Sequence, residues 1–427
     1  MRERTIQSPR DLRRSNRSLL LRRLYFDGPL SRQDMIDTMG LSAASVSNVV
    51  ADLVGDGIVV EAGIAGSGAG RPRTLLRVDT EGRFVVGVDV AETRIQIKLL
   101  TLDLRPRAGV EIPLPDGCGD AGVVVRGIAA GLREVMEEAG AGAGQRPVPP
   151  EAVLGVGVGV PGVVEHRPEA VVYGQTVGWD GIPLERMLRE HIDLPLFVDN
   201  VATALGQAEM WFGAGRGCSD AVVALIGVGV GACVVTDGVP YRGAGRSAGE
   251  WGHTVVEVGG RRCRCGALGC LEAYAGVGAI RERYRDLAPA AELRRVGFDA
   301  LDEPAALAAI LAAADGPAPR PEAIDVLDEA AVYLGAGIAS LINLFNPERI
   351  LLGGWAGLVL GPRLLPRIRQ VAAAYALRHA FRSTEIGLCG LGSDAVARGA
   401  GTLPVAAFLS AGGSRSRRLP RAEVRVG

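Results

Sequence analysis

Long apolar runs, lysine and net charge are all but missing from this chain of 427 residues. Its most apolar stretch, Ala221 to Val235, is too short and too often interrupted by glycine to cross a bilayer. It reads instead as a strand, a turn and a second strand. The opening Met1-Arg-Glu-Arg-Thr5 leads into a charged segment without an apolar signal core, so a cytoplasmic protein with no membrane partner is expected. Lys98 is the only lysine, so nearly all of the 47 basic residues are arginine, a bias that fits a G+C-rich bacterial genome. A formal net charge of -1 excludes a chain that is basic throughout and shifts attention to local patches. Residues 1 to 23 carry eight arginines against Glu3 and Asp11, and five more arginines crowd the last thirteen positions.

With 48% hydrophobic and 22% charged residues the composition is that of a globular protein, and the length exceeds one ordinary core, so two or three lobes are expected. Residues 13–80 form a unit with its own logic. Ser15 or Asn16 is suited to cap a first helix with Leu19, Leu20 and Leu24 inward. Ser31 caps a second with Met35, Ile36 and Met39 inward, and Gly40 breaks it. From Ser42, Val46, Val49, Val50 and Leu53 recur at helical spacing and bury one face. Ala44, Ser45, Ser47 and Asn48 are left on the other. Two strands, Ile58 to Glu61 and Thr74 to Val78, follow around a Gly63–Gly70 loop whose tip carries Arg71 and Arg73.

Three helices and a hairpin make a winged helix-turn-helix. Ser42, Ala44, Ser45, Ser47 and Asn48 would face base edges and phosphates of operator DNA, and Arg71 and Arg73 a flanking minor groove. A small helical oligomerisation module would share the helix pattern. The short helix-Gly-helix turn and the two-arginine tip favour DNA. Residues 1–12 are expected to be a basic flexible arm, and residues 406–427 a disordered basic tail.

From Phe84 the pattern changes to strands alternating with helices, and 84–405 reads as one two-lobed unit. Phe84 to Asp103 is a hairpin, Val123 to Ala139 a helix, Val153 to Val160 a strand, and Leu196 to Asn200 a strand that delivers polar groups into the helix Val201 to Phe212. Ala221 to Asp237 repeats the hairpin theme, which predicts two related lobes. Val332 to Leu344 reads as a buried helix and Leu364 to Leu377 as a closing one.

His253, Cys263, Cys265 and Cys270 lie within eighteen residues and supply one imidazole and three thiolates, the donor set of a tetrahedral structural zinc site. A disulfide is disfavoured without a secretory signal, and three cysteines in eight residues beside a histidine are rarely core filler. All four positions are protein groups, so the zinc would be structural.

The winged helix, Asp89-x-x-x-Thr93, Gly227-x-Gly229-x-Gly231, Glu250-x-Gly-His253 and Cys263-x-Cys265-Gly-x-x-Gly-Cys270-x-Glu272 together resemble the ROK family of repressors, open reading frames and sugar kinases. The resemblance implies a two-lobed, actin-like (ribonuclease H-like) α/β fold, sugar in the cleft, and homodimers or homotetramers. It also implies that Asn200, Glu250, His253 and Glu272 bind sugar hydroxyls, with His253 a zinc ligand as well. Carboxylates, an amide and an imidazole suit hydroxyls that both donate and accept.

Three departures from the kinase pattern point away from catalysis. Val201 stands where kinases carry the catalytic aspartate, and an aliphatic group cannot accept the proton of an attacking hydroxyl. Asp89-Val-Ala-Glu92-Thr93 has lost both glycines of the first phosphate turn and gained an anion, and Val228 replaces a threonine in the second. The expectation is a sugar-responsive repressor binding an inverted repeat, without kinase activity. The alternative is an ATP-dependent hexose kinase fused to a DNA-binding module, with Asp199 as a misregistered base.

Overall fold

The computed structural model describes residues 9–66, 72–114, 117–141, 148–166 and 168–415. The N-terminal module comprises α1 (Pro9–Asp27), β1 (Leu30–Ser31), α2 (Arg32–Met39), α3 (Ala43–Gly55), β2 (Val59–Ala65) and β3 (Arg73–Val78). Helix α1 already includes Pro9, six residues before the expected cap at Ser15. Residues 9–12 are therefore helix and not part of a flexible arm. Leu20, Leu21 and Leu24 are buried, whereas Leu19 is 48% exposed, so the inward stripe is turned one residue from the expected one.

Ser31 and Asp34 form a reciprocal capping box, and Gly40 ends α2 in the left-handed region at φ 64°. Ser42 caps α3, and Val46, Val49, Val50 and Leu53 are all buried beneath it, as their spacing predicts. The wing pairs β3 between β1 and β2, so the two expected strands gain a short third.

Two further sheets carry the same topology. In the first lobe β4 (Phe84–Val90), β5 (Arg94–Thr101), β6 (Pro106–Pro113), β7 (Val153–Val160) and β11 (Leu196–Asn200) take the order β11-β7-β4-β5-β6, with β4, β7 and β11 parallel. Helices α4 (Ala121–Ala141) and α5 (Leu184–Arg189) cover one face. A small antiparallel sheet of β8 (Val163–His166), β9 (Ala170–Gly174) and β10 (Trp179–Ile182) lies beside it.

After α6 (Val201–Phe212), the second lobe orders β12 (Ala221–Ile226), β13 (Val230–Thr236), β14 (Val239–Pro240), β15 (Arg349–Gly353) and β16 (Glu385–Leu388) as β14-β13-β12-β15-β16. Its pairing sequence matches the first sheet: two antiparallel steps from the central strand on one side and two parallel steps on the other. Helices α7 (Glu272–Ala275), α8 (Val277–Leu287), α9 (Ala290–Val296), α10 (Glu303–Asp315), α11 (Pro321–Phe345), α12 (Gly354–Tyr375) and α13 (Arg378–Ser383) complete this lobe. The anticipated repeat of the hairpin theme is thus a repeat of a whole α/β lobe.

The closing helix is α14 (Ala395–Ser410) and not the segment 364–377, most of which is the C-terminal part of α12. Helix α14 lies so close to the first sheet that a Cβ at Gly157 would stand 1.8 Å from the Ala400 carbonyl oxygen, and one at Gly87 would stand 1.9 Å from that of Ala397. Gly87 of β4 and Gly157 of β7 thus make the seat of a helix. Because α14 continues to Ser410, the expected boundary at 405 falls inside it. Residues 406–415 are packed: Phe408, Leu409 and Ala411 are buried, and the Arg17 guanidinium donates to the Gly412 carbonyl. Residues 416–427 lie outside the described chain, as do residues 1–8.

The N-terminal module is not an independent bead. One buried apolar cluster runs from Leu20, Leu24 and Ile58 through Trp211 to Phe408. Tyr25 and Phe26 of α1 meet Trp211 of α6 edge to face at 6.0 and 5.0 Å, and Arg216 donates to the Phe26 carbonyl at 2.9 Å. The C-terminal end of α6 is fixed by Glu209, fully buried, whose carboxylate accepts from the backbone amides of Ala214 at 2.8 Å, Gly390 at 3.0 Å and Leu391 at 2.9 Å. Removing that acceptor leaves three inward-facing N–H groups without partners, so Glu209→Ala should cost about 3–5 kcal/mol of unfolding free energy, with Glu209→Gln less severe. Denaturant unfolding of the two variants checks this.

Candidate functional site

A cavity of about 470 Å³ opens between the two lobes. The first lobe contributes the turn Ala91–Thr93, Gly162 and the end of β11; the second contributes the turn Gly227–Gly229, Glu250, His253, Glu272 and Trp355. All four residues assigned to sugar by resemblance line this one cavity. Asn200 caps α6, its Oδ1 accepting from the amides of Ala202 at 2.8 Å and Thr203 at 3.2 Å while Nδ2 donates to the Gly162 carbonyl at 2.8 Å. One amide hydrogen remains for a ligand.

Glu272, only 5% exposed, opens α7; its Oε2 accepts from Val230 N at 3.0 Å and so pins the glycine turn 227–231. It is no ordinary solvated carboxylate. Glu250 stands across the site with its Oε2 at 4.0 Å from His253 Nε2. Burial raises its carboxyl above the usual range, His253 opposing and Glu272 adding to the shift.

The cysteine loop is shaped by left-handed glycines. Gly266 and Gly269 have φ of 92° and 75°, and a Cβ at Gly269 would lie 1.8 Å from the Glu257 carbonyl oxygen. Backbone bonds from Cys263 N to Ala267 O at 2.8 Å and from Gly266 N to Cys263 O at 2.9 Å tighten the tip. The donor atoms of His253, Cys263, Cys265 and Cys270 all lie within 4.8 Å of one another. His253 Nδ1 is 3.7 Å from Cys263 Sγ, and Cys265 Sγ is 3.8 Å from Cys270 Sγ. A tetrahedron with metal–sulfur bonds of about 2.3 Å has edges of about 3.8 Å, so the group fits a metal ion. Burial pushes the Cys263 and Cys270 thiols upward in pKa, so thiolates there need a cation. His253 directs Nδ1 to the cysteines and Nε2 to the cleft.

The positions that bear on phosphoryl transfer are also plain. Val201 begins α6. Asp199 is 2% exposed and held by Arg242 through two contacts of 2.8 Å, while its Oδ1 also accepts from Asn200 N at 2.9 Å. Glu92, the anion in the first turn, is paired with Arg264 of the cysteine loop at 3.0 Å. Sequence reasoning missed Arg242, Arg264 and Trp355. No spacing in the sequence marks an arginine as a partner.

On the N-terminal module Ala44, Ser47 and Asn48 are exposed on one side of α3, with Ser45 half-buried beside them. Ser42 Oγ accepts from Ser45 N at 3.2 Å and is engaged with Ser45 Oγ at 2.9 Å, so its hydroxyl serves the cap first. Arg73 opens β3 and lies 3.8 Å from Asp34; Arg71 lies outside the described residues.

A winged module fused to a duplicated α/β fold, with a polar cleft and a His/Cys₃ loop between its lobes, defines a two-lobed carbohydrate-kinase architecture carrying a DNA-binding-type head. The chain belongs to the ROK family, whose model matches residues 86–406. It is 30% identical to the xylose repressor of Caldicellulosiruptor bescii over 404 residues, spanning 93% of this chain and 97% of that protein. A solved ROK family transcriptional regulator, a homologue of the E. coli MLC protein, superposes with a TM-score of 0.74 at 26% identity over 94% of this chain and 98% of its own. A ROK family glucokinase from Streptomyces griseus, solved with glucose and AMPPNP, gives a TM-score of 0.64 at 27% identity, covering 98% of itself but 75% of this chain.

Asp89 sits on the cleft wall, where burial pushes its carboxyl up to about 6, Arg94 opposing and Glu111 adding to the rise. A carboxyl whose folded pKa is raised contributes stability that is complete below its unfolded pKa of 3.8 and is lost as pH climbs through about 6. Asp89→Asn should therefore flatten the stability profile across that window, measured by thermal unfolding at stepped pH.

Proposed function

We infer that this protein is a sugar-responsive DNA-binding repressor whose cleft senses a sugar without phosphorylating it. The observation that carries the reading is that Asp199, the one carboxylate at the strand end beside Val201, is buried under Arg242 while the hydroxyl-binding groups around it remain in the cavity. The similarity to the xylose repressor and to the MLC homologue spans the winged module, whereas the similarity to the glucokinase stops at the lobes. No described helix is long and apolar enough to cross a membrane.

Asn200, Glu250, His253 and Glu272 hold the sugar hydroxyls. Zinc on His253, Cys263, Cys265 and Cys270 supplies a structural cross-link. Through it His253 is oriented with Nε2 toward the ligand, and the segment leading to Glu272 is held in place. Ser42, Ala44, Ser45, Ser47, Asn48, Arg71 and Arg73 contact operator DNA, and two modules of a homodimer, or of a dimer within a homotetramer, read an inverted repeat. Sugar favours a closed cleft. The N-terminal end of α6 carries Asn200 and its C-terminal end meets Tyr25 and Phe26, so closure reaches the winged module and lowers operator affinity.

A monosaccharide panel in a mobility-shift titration tests the reading: at least one sugar releases the operator, and Glu250→Gln weakens that sugar's binding by roughly 10- to 100-fold with sugar-free DNA affinity unchanged. Sustained sugar-dependent ADP release by the unaltered protein would point to a kinase instead. Metal analysis should give one zinc per chain, and Cys270→Ser should lose the zinc and the sugar response together while the winged module still binds DNA. Full metal loss with an intact sugar response would contradict the structural role.

A further inference from the structure

Two ion pairs that cross between the lobes differ sharply in burial. Asp199 and Arg242 have side chains 3% and 17% exposed and lie deep, beside the start of α6. Glu92 and Arg264 are 26% and 39% exposed; Glu92 lines the cleft, and Arg264 pairs with it from the opposite lobe. Glu92 belongs to the turn between β4 and β5, and Arg264 to the tip of the cysteine loop, 172 residues away. Arg264 Nη1 lies 3.0 Å from both Glu92 oxygens, and Nη2 reaches Glu272 Oε1 at 3.4 Å. Since the other oxygen of Glu272 holds Val230 N, a continuous polar chain runs from one lip of the cavity through Arg264 to its glycine turn on the other.

We propose that Glu92 and Arg264 form a clasp that holds the cleft closed over the sugar, making both positioning residues for the effector; this rests on the sugar-sensing reading above. The buried Asp199–Arg242 pair is costly to separate and acts as a fixed joint. A part-exposed pair is held weakly, so it opens each time a ligand enters or leaves. The resemblance expects glycine where Glu92 stands. A glycine has nothing to offer an arginine on the opposite lobe, so the residue that spoils a phosphate turn supplies one half of the clasp. The second contact of Arg264 ties the clasp to Glu272, so a sugar hydroxyl that engages Glu272 also meets the clasp's anchor.

Full-length Glu92→Gln, Arg264→Gln and the double variant test this in two readouts. Hydrogen exchange of the amides at Gly227–Gly231, measured without sugar, should be a few-fold faster in each variant as the cleft opens more often. Calorimetry should show the releasing sugar bound about 3- to 10-fold more weakly by each single variant and no more weakly by the double, with zinc content unchanged. The unaltered protein should lose sugar affinity as salt rises, and Glu92→Gln should not. Unchanged exchange and unchanged affinity in Glu92→Gln would overturn the clasp, including when Arg264→Gln alone is weakened, because Arg264 would then act only through Glu272. If the unaltered protein binds no sugar of the panel the sensing reading falls, and the exchange comparison still decides the clasp.

Discussion

Helix α6 and its packing are the constraint on which the rest of the molecule depends. Its N-terminus is capped by Asn200 inside the cleft; its C-terminus is locked by the buried Glu209 and capped by an aromatic cluster shared with α1. Twelve residues at 1.5 Å each make a strut of about 18 Å. Helix α14 grips its flank, where a Cβ at Gly399 would fall 1.9 Å from the Ala204 carbonyl oxygen. Such close packing leaves little room for α6 to bend or slide independently. The continuous core from Leu20 to Phe408 joins that strut to the winged module, which is the physical basis of the coupling proposed above.

The proposed role as a sensor rests on the same residues. Phosphoryl transfer needs a free carboxylate near the sugar hydroxyl and an unobstructed cradle for phosphate. Here the strand-end aspartate is held by Arg242, the position after Asn200 is aliphatic, and the first turn presents Glu92 engaged with Arg264. Three of the residues proposed to hold sugar also have structural duties: Asn200 caps a helix, Glu272 pins a glycine turn, and His253 turns one nitrogen to the cysteines. Substituting any of them alters the frame as well as the ligand contacts.

Much of this was legible in the sequence because it rests on local periodicity and close spacing. The α3 face followed from Val46, Val49, Val50 and Leu53, the Ser31 cap from its neighbours, and the metal group from four donors in eighteen residues. The span of α6 followed from the polar strand end before it. What escaped depends on distant partners. That Gly87 and Gly157 seat α14, and that the chain end is packed against α1, follows from contacts 243 (400 − 157) to 395 residues apart, which no window of sequence contains. Asp199 looked available as a base because nothing near it in sequence announces Arg242. The turn of α1 was misjudged by one position because Leu19, Leu20 and Leu21 are chemically alike, and only the packed neighbours choose between them.

If cleft and operator compete through one coupled structure, linkage makes the competition reciprocal. Calorimetry decides it: the affinity of the releasing sugar is measured on free protein and again on protein saturated with operator DNA. Bound operator should weaken the sugar by the same factor by which sugar weakens the operator, roughly 5-fold or more. Equal sugar affinity with and without DNA would contradict it.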